Sequence, residues 1–330
     1  MSAGVARVML VWCAAATCVA CARGCGRNTA GSGPPSPVAV RSSTQPDNPC
    51  PTFARAETVG RVQAPNLTEI SGVAMSKKNP GVLWVHNDSG HAAELFAIAR
   101  DGRTLAQFVI DGARNADWED LALGPGPERG ESYLHVGDIG GNRRARLEFV
   151  VYRVREPEVA SGENPMVHGS LPASALHFTY PDGHHDAETL FFDPKSDGDL
   201  YVVTKDLHGA SHVYRATGPI ADGSSRPLTL VASLHFPRTG ERGSDQVTSG
   251  AISPSGEYVL IKTYTMLYLW VRLEGASIAD TLRTAACRLP LVREEQGEAL
   301  TFAPDGTGYL TTSEGRSPPI YFFRREPASR

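Results

Sequence analysis

Apolar residues in this chain alternate with polar ones over short stretches, and Gly, Asp, Asn, Ser and Pro cluster between those stretches. Alternation with period two predicts short half-buried strands joined by tight turns, and no convincing helical stretch interrupts it. The first group of strands is expected over 69–76, 82–86, 94–99 and 104–110, with Asp101-Gly102 turning between the last two. A second group starts at Asp117 and continues through 133–136, 148–154 and 175–180, with a Pro- and Gly-rich insertion around 156–172. A third occupies 188–193, 199–204, 211–216 and 228–236. In a fourth, 257–263 and 267–273 are the clearest strands and an outer one falls near Cys287. The last has three strands only, at 298–303, 308–312 and 319–324. Asp197-Gly198, Ser255-Gly256 and Asp305-Gly306 supply the tight-turn backbone that hairpins need and are read as structural.

Each group opens on a similar phrase: Glu69-Ile-Ser-Gly-Val-Ala, Asp117-Trp-Glu-Asp-Leu-Ala, Asp186-Ala-Glu-Thr-Leu-Phe, Val247-Thr-Ser-Gly-Ala-Ile and Gln296-Gly-Glu-Ala-Leu-Thr. A strand-rich unit recurring at this scale predicts an all-β propeller, with five blades expected and six as the alternative. The final unit lacks an outer strand, and 53–62 is positioned to supply it, so that an N-terminal strand closes the ring and leaves no open sheet edge. Such a closure brings Cys50 beside the outer strand of the fourth unit, near Cys287. A disulfide between them is then expected in an oxidising compartment, two buried thiols being the alternative.

The chain has 330 residues, 41% of them hydrophobic, enough for a large core in one domain. A formal net charge of -4 offers no basic surface, and nucleic acid is excluded as a charge-driven partner. Residues 1–22 carry Arg7 and then an apolar run from Val8 to Ala20 that is short for a bilayer span and reads as an export signal. Cys21, preceded by Cys18-Val19-Ala20, resembles a bacterial lipobox without the usual Leu, so lipidation at Cys21 stands beside plain cleavage near Ala20 or Ala22. From 23 to 49 the composition turns to Gly, Ser, Pro, Thr and Asn, which predicts a flexible tether ahead of a single domain over 50–330. The expected location is the bacterial cell envelope, lipid-anchored or periplasmic, or the exterior. Membrane contact is expected only through the anchor, and a monomer is expected.

Candidate chemistry follows from the aligned phrases. One column holds Glu69, Asp117, Asp186, Val247 and Gln296, and a second, two residues on, holds Ser71, Glu119, Glu188, Ser249 and Glu298. Residues two apart on a strand point the same way, so both columns can face the central channel. Carboxylates converging from separate repeats repel one another unless a cation, shared protons or hydrogen-bond donors offset their charge. Glu69, Asp117, Glu119, Asp186, Glu188 and Glu298 are therefore candidate metal ligands, with calcium favoured because the donors are oxygens and no Cys/His cluster has zinc spacing. Locking of neighbouring repeats through backbone hydrogen bonds is the structural alternative.

A second set lies where each second strand ends. It comprises His86, Asn87, Asp88, Asp138, Asn142, Arg143, Lys205, Asp206, Lys262 and Glu314, which should surround the same mouth and hold a small-molecule, glycan or peptide ligand. Arg143, Arg144, Lys205 and Lys262 suit an anionic group, ordinary solvated charge being the alternative. His184-His185 is more simply an exposed pair than a metal site. There is no Gly-x-Ser-x-Gly elbow, no phosphate-cradling Gly-rich loop and no His-Glu-x-x-His, which removes the common hydrolase, nucleotidase and zinc-protease signatures.

Asn87-Asp-Ser-Gly, Asp117-Trp-Glu-Asp-Leu-Ala, Val136-Gly-Asp-Ile-Gly-Gly-Asn142 and Tyr152-Arg-Val-Arg-Glu-Pro157 together resemble a family of exported bacterial β-propeller proteins of uncharacterised function. The resemblance is close over the first two units and carried by the Glu-centred phrase beyond them. Gly141 stands where that family's pattern has Asp. More distantly the repeats are similar to phytase-like esterase propellers, which implies calcium-assisted phosphoester hydrolysis by fold-level analogy. Two functions follow as expectations: a tethered ligand-binding module, or a hydrolase in which Glu119, Glu188 or Glu298 activates water beside a cation while Arg143 and Lys205 steady charge.

Overall fold

In the computed structural model the described residues are 38–40, 50–141, 146–159, 167–205, 210–327. Two N-terminal strands, β1 (Val38–Ala39) and β2 (Glu57–Arg61), precede the repeats. The first repeat is β3 (Ile70–Met75), β4 (Val82–Asn87), β5 (Glu94–Ala99) and β6 (Thr104–Asp111). The second is β7 (Trp118–Gly124), β8 (Tyr133–Asp138), β9 (Glu148–Arg155) and the long β10 (Val167–Thr179). The third is β11 (Ala187–Phe192), β12 (Leu200–Thr204), β13 (Ala210–Ala216), the short β14 (Ser225–Pro227) and β15 (Thr229–His235). The fourth is β16 (Val247–Ile252), β17 (Tyr258–Thr263), β18 (Leu267–Val271), the helix α1 (Ile278–Leu282) and β19 (Cys287–Leu289). The fifth is β20 (Ala299–Phe302), β21 (Gly308–Thr312) and β22 (Pro319–Arg324).

Each repeat is an antiparallel meander, as short alternating strands with Gly turns demand, and β14 lies apart from its own, paired parallel with β10 of the second repeat. The innermost strands touch in order, β3 to β7 to β11 to β16 to β20, and β20 returns to β3, which closes a β-propeller around one axis. The fifth repeat takes its outer strand from β2, whose Glu57 to Arg61 pairs antiparallel with Phe322 to Pro319 of β22. Cys50 and Cys287 form a disulfide with Cα atoms 5.7 Å apart, tying the closing strand to the outer strand of the fourth repeat. Both features agree with the ring closure expected from sequence.

The core lies between adjacent sheets. Trp84, Phe108, Trp118 and Tyr152 fill the space between the first and second repeats, and Tyr201, Val213, Tyr268 and Trp270 that between the third and fourth. Two indole groups that enter this packing are matched: Trp84 Nε1 donates to Glu156 Oε1 at 3.0 Å, and Trp118 Nε1 to the Arg114 carbonyl at 3.1 Å.

Four features differ from the sequence expectation. Val38–Ala39, inside the stretch assigned to the flexible tether, pairs parallel with Leu234 and His235 of β15, because Val40 has an apolar seat in the third-repeat core. The Pro- and Gly-rich insertion is strand from Val167 onward: Val167 to Pro172 pair parallel with β6 before Ala173 to Thr179 join β9, so one strand bridges two repeats. The helix α1 is only five residues long, too short to show a period, and is nucleated by Ser277, whose side chain accepts from Asp280 N at 3.0 Å. The fourth phrase is shifted by one residue, because the pairing of β16 with β17 slips between Val247 and Ser249. Among the described residues no helix is long and apolar enough to cross a membrane.

Candidate functional site: a carboxylate mouth on the propeller axis

The inner strands begin at one end of the axis, and four of them enter with the same irregularity. Pairing slips between Ile70 and Gly72, between Trp118 and Asp120, between Ala187 and Thr189, and between Val247 and Ser249. The extra residues are Ser71, Glu119, Glu188 and Thr248, so a bulge, rather than simple alternation, sets where the second column points. The fourth repeat therefore offers Thr248 at this level and not Ser249. Two of these side chains lock neighbours: Ser71 Oγ donates to the Glu119 carbonyl at 2.6 Å, and Thr248 Oγ1 to the Gly297 carbonyl at 3.0 Å. Asp120, the next residue in the Asp-Trp-Glu-Asp phrase, is buried and accepts from Leu190 N in the third repeat at 2.8 Å and from Leu121 N at 2.8 Å. Only the register reveals that adjacent acids in one phrase have different destinations.

Asp88, Asp117 and Glu119 place one oxygen each within 4.8 Å of the others, and Glu119, Asp186 and Glu188 do the same. Glu119 belongs to both groups. It is 3% exposed and Glu188 1%. Glu119 Oε2 accepts from Ser71 Oγ at 3.3 Å and Glu188 Oε1 from Lys205 Nζ at 2.9 Å, while Glu119 Oε1 and Glu188 Oε2 have no hydrogen-bond partner. Gly140 backs this spot: a Cβ there would lie 2.2 Å from Glu119 Oε1 and 2.7 Å from Asp117 Oδ2. A side chain at 140 is excluded by the carboxylates themselves.

The electrostatics follow from this crowding. Burial first, and then the Glu188 and Asp88 charges, hold the Glu119 carboxyl well above its ordinary range. Burial likewise raises Glu188, against the stabilising pull of Lys205. Asp88 is pushed up to about 6 by burial and by Asp117, and Asp186 is raised by burial although Gly141 N donates to it at 2.7 Å. Burial opposes the charge of Lys205, but Glu188 outweighs it and the ammonium is held. Its Nζ also sits 5.5 Å from the Tyr264 ring centroid.

Across the mouth the arrangement is different. Lys262 is fully buried, donates to the Gly297 carbonyl and lies 3.6 Å from Glu294 Oε2. Glu294 Oε1 accepts from Thr311 Oγ1 at 2.8 Å, and Tyr264 donates to Glu298. Glu314 is pushed up to about 9 by burial and by its hydrogen bond with Glu298.

The other sequence candidates take structural or rim positions. His86 is fully buried, edge-on to Trp118, and lowered by burial to about 4, so it is a neutral packing residue and not a group open to the mouth. Asn87 accepts from Thr68 N and Glu69 N at 3.1 and 3.0 Å and donates to the Asn66 carbonyl at 2.8 Å, bracing the loop beneath Asp88. Asp138 accepts from Asp117 N at 3.0 Å and from Arg146 Nη1 at 2.6 Å, fixing the loop that carries Asp117. Glu69 is exposed at the rim, with its Oε2 3.0 Å from His91 Nε2, and belongs to neither close carboxylate group. His185 is occupied in an outer cluster, its Nε2 3.1 Å from Asp182 Oδ1 and 2.9 Å from Tyr214 Oη. Cys21, Asn142, Arg143, Arg144 and Asp206 lie outside the described residues. Tyr264, Glu294, Gly140 and Arg146 went unassigned in the sequence; Tyr264 alone had a signal, the repeated polar exit of each second strand.

The fold is similar to that of the RRP9 WD40 repeats, at 12% identity over 84% of this chain and 99% of that one with a TM-score of 0.43. It is likewise similar to the β-propeller domain of Cps50 (Swd1) from Myceliophteria thermophila, at 14% identity over 82% and 99% with a TM-score of 0.44. No family model and no curated protein matches the chain.

Proposed function

We propose that this protein is an exported, membrane-tethered propeller of five blades that binds a ligand at its carboxylate mouth through a divalent cation, with calcium the best fit. Five inner strands touching in a ring support the blade count. The reading is carried by one observation: Glu119 and Glu188 are buried, share a cluster of acidic oxygens, and each keep an oxygen with no donor. Such a group is tolerable when protonated or when an ion completes it, and an all-oxygen donor set suits calcium. The Cys50–Cys287 disulfide fits an oxidising compartment. Asp88, Asp117, Glu119, Asp186 and Glu188 would hold the ion, and its open face toward the mouth would take an oxygen of a small-molecule, glycan or peptide ligand.

The test is the melting temperature of wild type and Glu119→Gln with calcium and with chelator. Calcium should raise the wild-type midpoint and leave the variant unmoved; no calcium effect on wild type rejects the cation. Lys205, held beside Glu188, favours a second reading, calcium-assisted hydrolysis of a phosphoester or other ester, because a fixed ammonium next to the ion can steady developing negative charge. Calcium-dependent turnover of generic phosphate and carboxylate esters, lost in Glu119→Gln, would establish it. Binding is preferred because, among the described residues of the mouth, none stands apart as a nucleophile or general base.

A further inference from the structure

Two lysine and glutamate pairs border the mouth, and they are not alike. Lys205 Nζ donates directly to Glu188 Oε1 at 2.9 Å. Lys262 Nζ instead lies 3.6 Å from Glu294 Oε2, beyond hydrogen-bond reach, and that oxygen has no donor. The two side chains are only 1% and 3% exposed, so bulk water does not solvate the gap between them.

Both partners of the second pair are held in place by the fold. Lys262 stands near the end of β17 and donates to the Gly297 carbonyl, in the segment that leads from β19 into β20. Glu294 belongs to the same segment, and its Oε1 accepts from Thr311 Oγ1 of β21 at 2.8 Å. Gly297 leaves room for the meeting, because a Cβ there would overlap both Glu294 Oε2 and Lys262 Nζ. A dry setting favours the neutral forms of both groups, and burial lowers the Lys262 ammonium and raises the Glu294 carboxyl. Passing one proton from ammonium to carboxylate leaves a lone pair on Nζ beside a carbonyl polarised by Thr311. Enforced proximity then replaces the encounter that a free amine and acid would need.

We propose that Lys262 and Glu294 condense to an intramolecular amide, a covalent link from the fourth repeat to the segment entering the fifth. Nζ bonds to Cδ of Glu294, the Cδ–Oε2 bond breaks, and Oε2 departs as water with the acid proton and one amine proton. Nζ keeps its last hydrogen in the amide, and nothing is oxidised or reduced. The ion pair is the state from which the reaction starts. Cys50–Cys287 already fastens the outer strand of the fourth repeat, so the link adds a second covalent tie to that repeat. Neither the cation nor the tether enters the step.

The test is a tryptic map of the full chain, purified after folding and then reduced. Trypsin should fail to cut after the acylated Lys262, and 243–272 should appear joined to 294–316 at their summed mass less one water. Cleavage after Lys205, whose pair is an ordinary hydrogen-bonded one, should be complete. Lys262→Arg and Glu294→Ala should each release unlinked peptides. Should either variant misfold, the wild-type map alone decides. Free 243–262 and 294–316 from wild type, or a loss of water that persists in Lys262→Arg, would overturn the proposal. The map should read the same with calcium and with chelator, so a missing link leaves the cation untouched, and a missing calcium effect leaves the link untouched.

Discussion

The second and third repeats meet the fourth and fifth across one mouth, and the two sides neutralise their carboxyl groups in different ways. On the fourth and fifth side the chain supplies the answer itself: Lys262 is enclosed beside Glu294 and the Gly297 carbonyl, Tyr264 donates to Glu298, and Glu314 shares a hydrogen bond with Glu298. On the second and third side Glu119 and Glu188 each retain an oxygen without a donor, and Lys205 is paired with only one of them. Glu294 Oε2 also lacks a hydrogen-bond donor but lies 3.6 Å from Lys262 Nζ, whereas Glu119 makes no ion pair among the described residues. An unmatched buried carboxylate costs several kcal/mol, so the first side is balanced by an ion pair within the fold and the second by a proton or a cation from solution. Counting acidic residues does not distinguish the sides. Tracing which charge faces each carboxylate does.

The sharpest way to break this comparison is Lys262→Met. Removing one member of a buried pair leaves Glu294 uncompensated, and denaturant unfolding should show a loss of about 3–5 kcal/mol that calcium does not restore. Stability equal to wild type would show that this side is not self-sufficient. Next in size is Gly140→Ala, whose Cβ would fall 2.2 Å from Glu119 Oε1. It should cost about 1–3 kcal/mol by overpacking and should also remove the calcium-induced rise in melting temperature, where Lys262→Met keeps it.

Protonation sharpens the contrast. Asp88 and Glu314 are raised in the folded protein to about 6 and about 9, so the folded state holds protons that the unfolded state has released. Their contributions therefore weaken folding as pH rises from the ordinary carboxylate range through those values, and level off above them. Urea midpoints across that range should fall with pH; calcium should flatten the part due to Asp88, and Glu314→Gln should remove the upper part only. A wild-type profile matching Glu314→Gln throughout would deny the shared proton. The smallest expected effect belongs to Thr248→Val, which loses one hydrogen bond to the Gly297 carbonyl. About 1 kcal/mol of stability should go, with calcium binding untouched.

The bulged entry of the inner strands explains why the two sides diverge although their sequences look alike. Glu119, Glu188 and Thr248 occupy the same extra position, so a carboxylate in two repeats becomes a hydroxyl in the next, and its hydrogen bond closes the fourth repeat onto the fifth without any ion.

What the sequence determined by itself was local or repeated. Period-two alternation and Gly turns predicted nearly every strand of the meanders, because side-chain direction and turn conformation depend on neighbours in the chain. The recurrence of one phrase was enough to collect Asp117, Glu119, Asp186 and Glu188 at one end of an axis, and the missing outer strand led to β2 and to the Cys50–Cys287 link. Tertiary structure alone decided the rest. A one-residue register slip made Thr248 the counterpart of Glu119, burial turned His86 and Lys262 inward, and pairing across repeats claimed Val38–Ala39 and the first half of β10 as strands. Register and pairing between distant segments, and the removal of water when a ring closes, are set by which surfaces finally meet, and adjacent residues carry no signal of that.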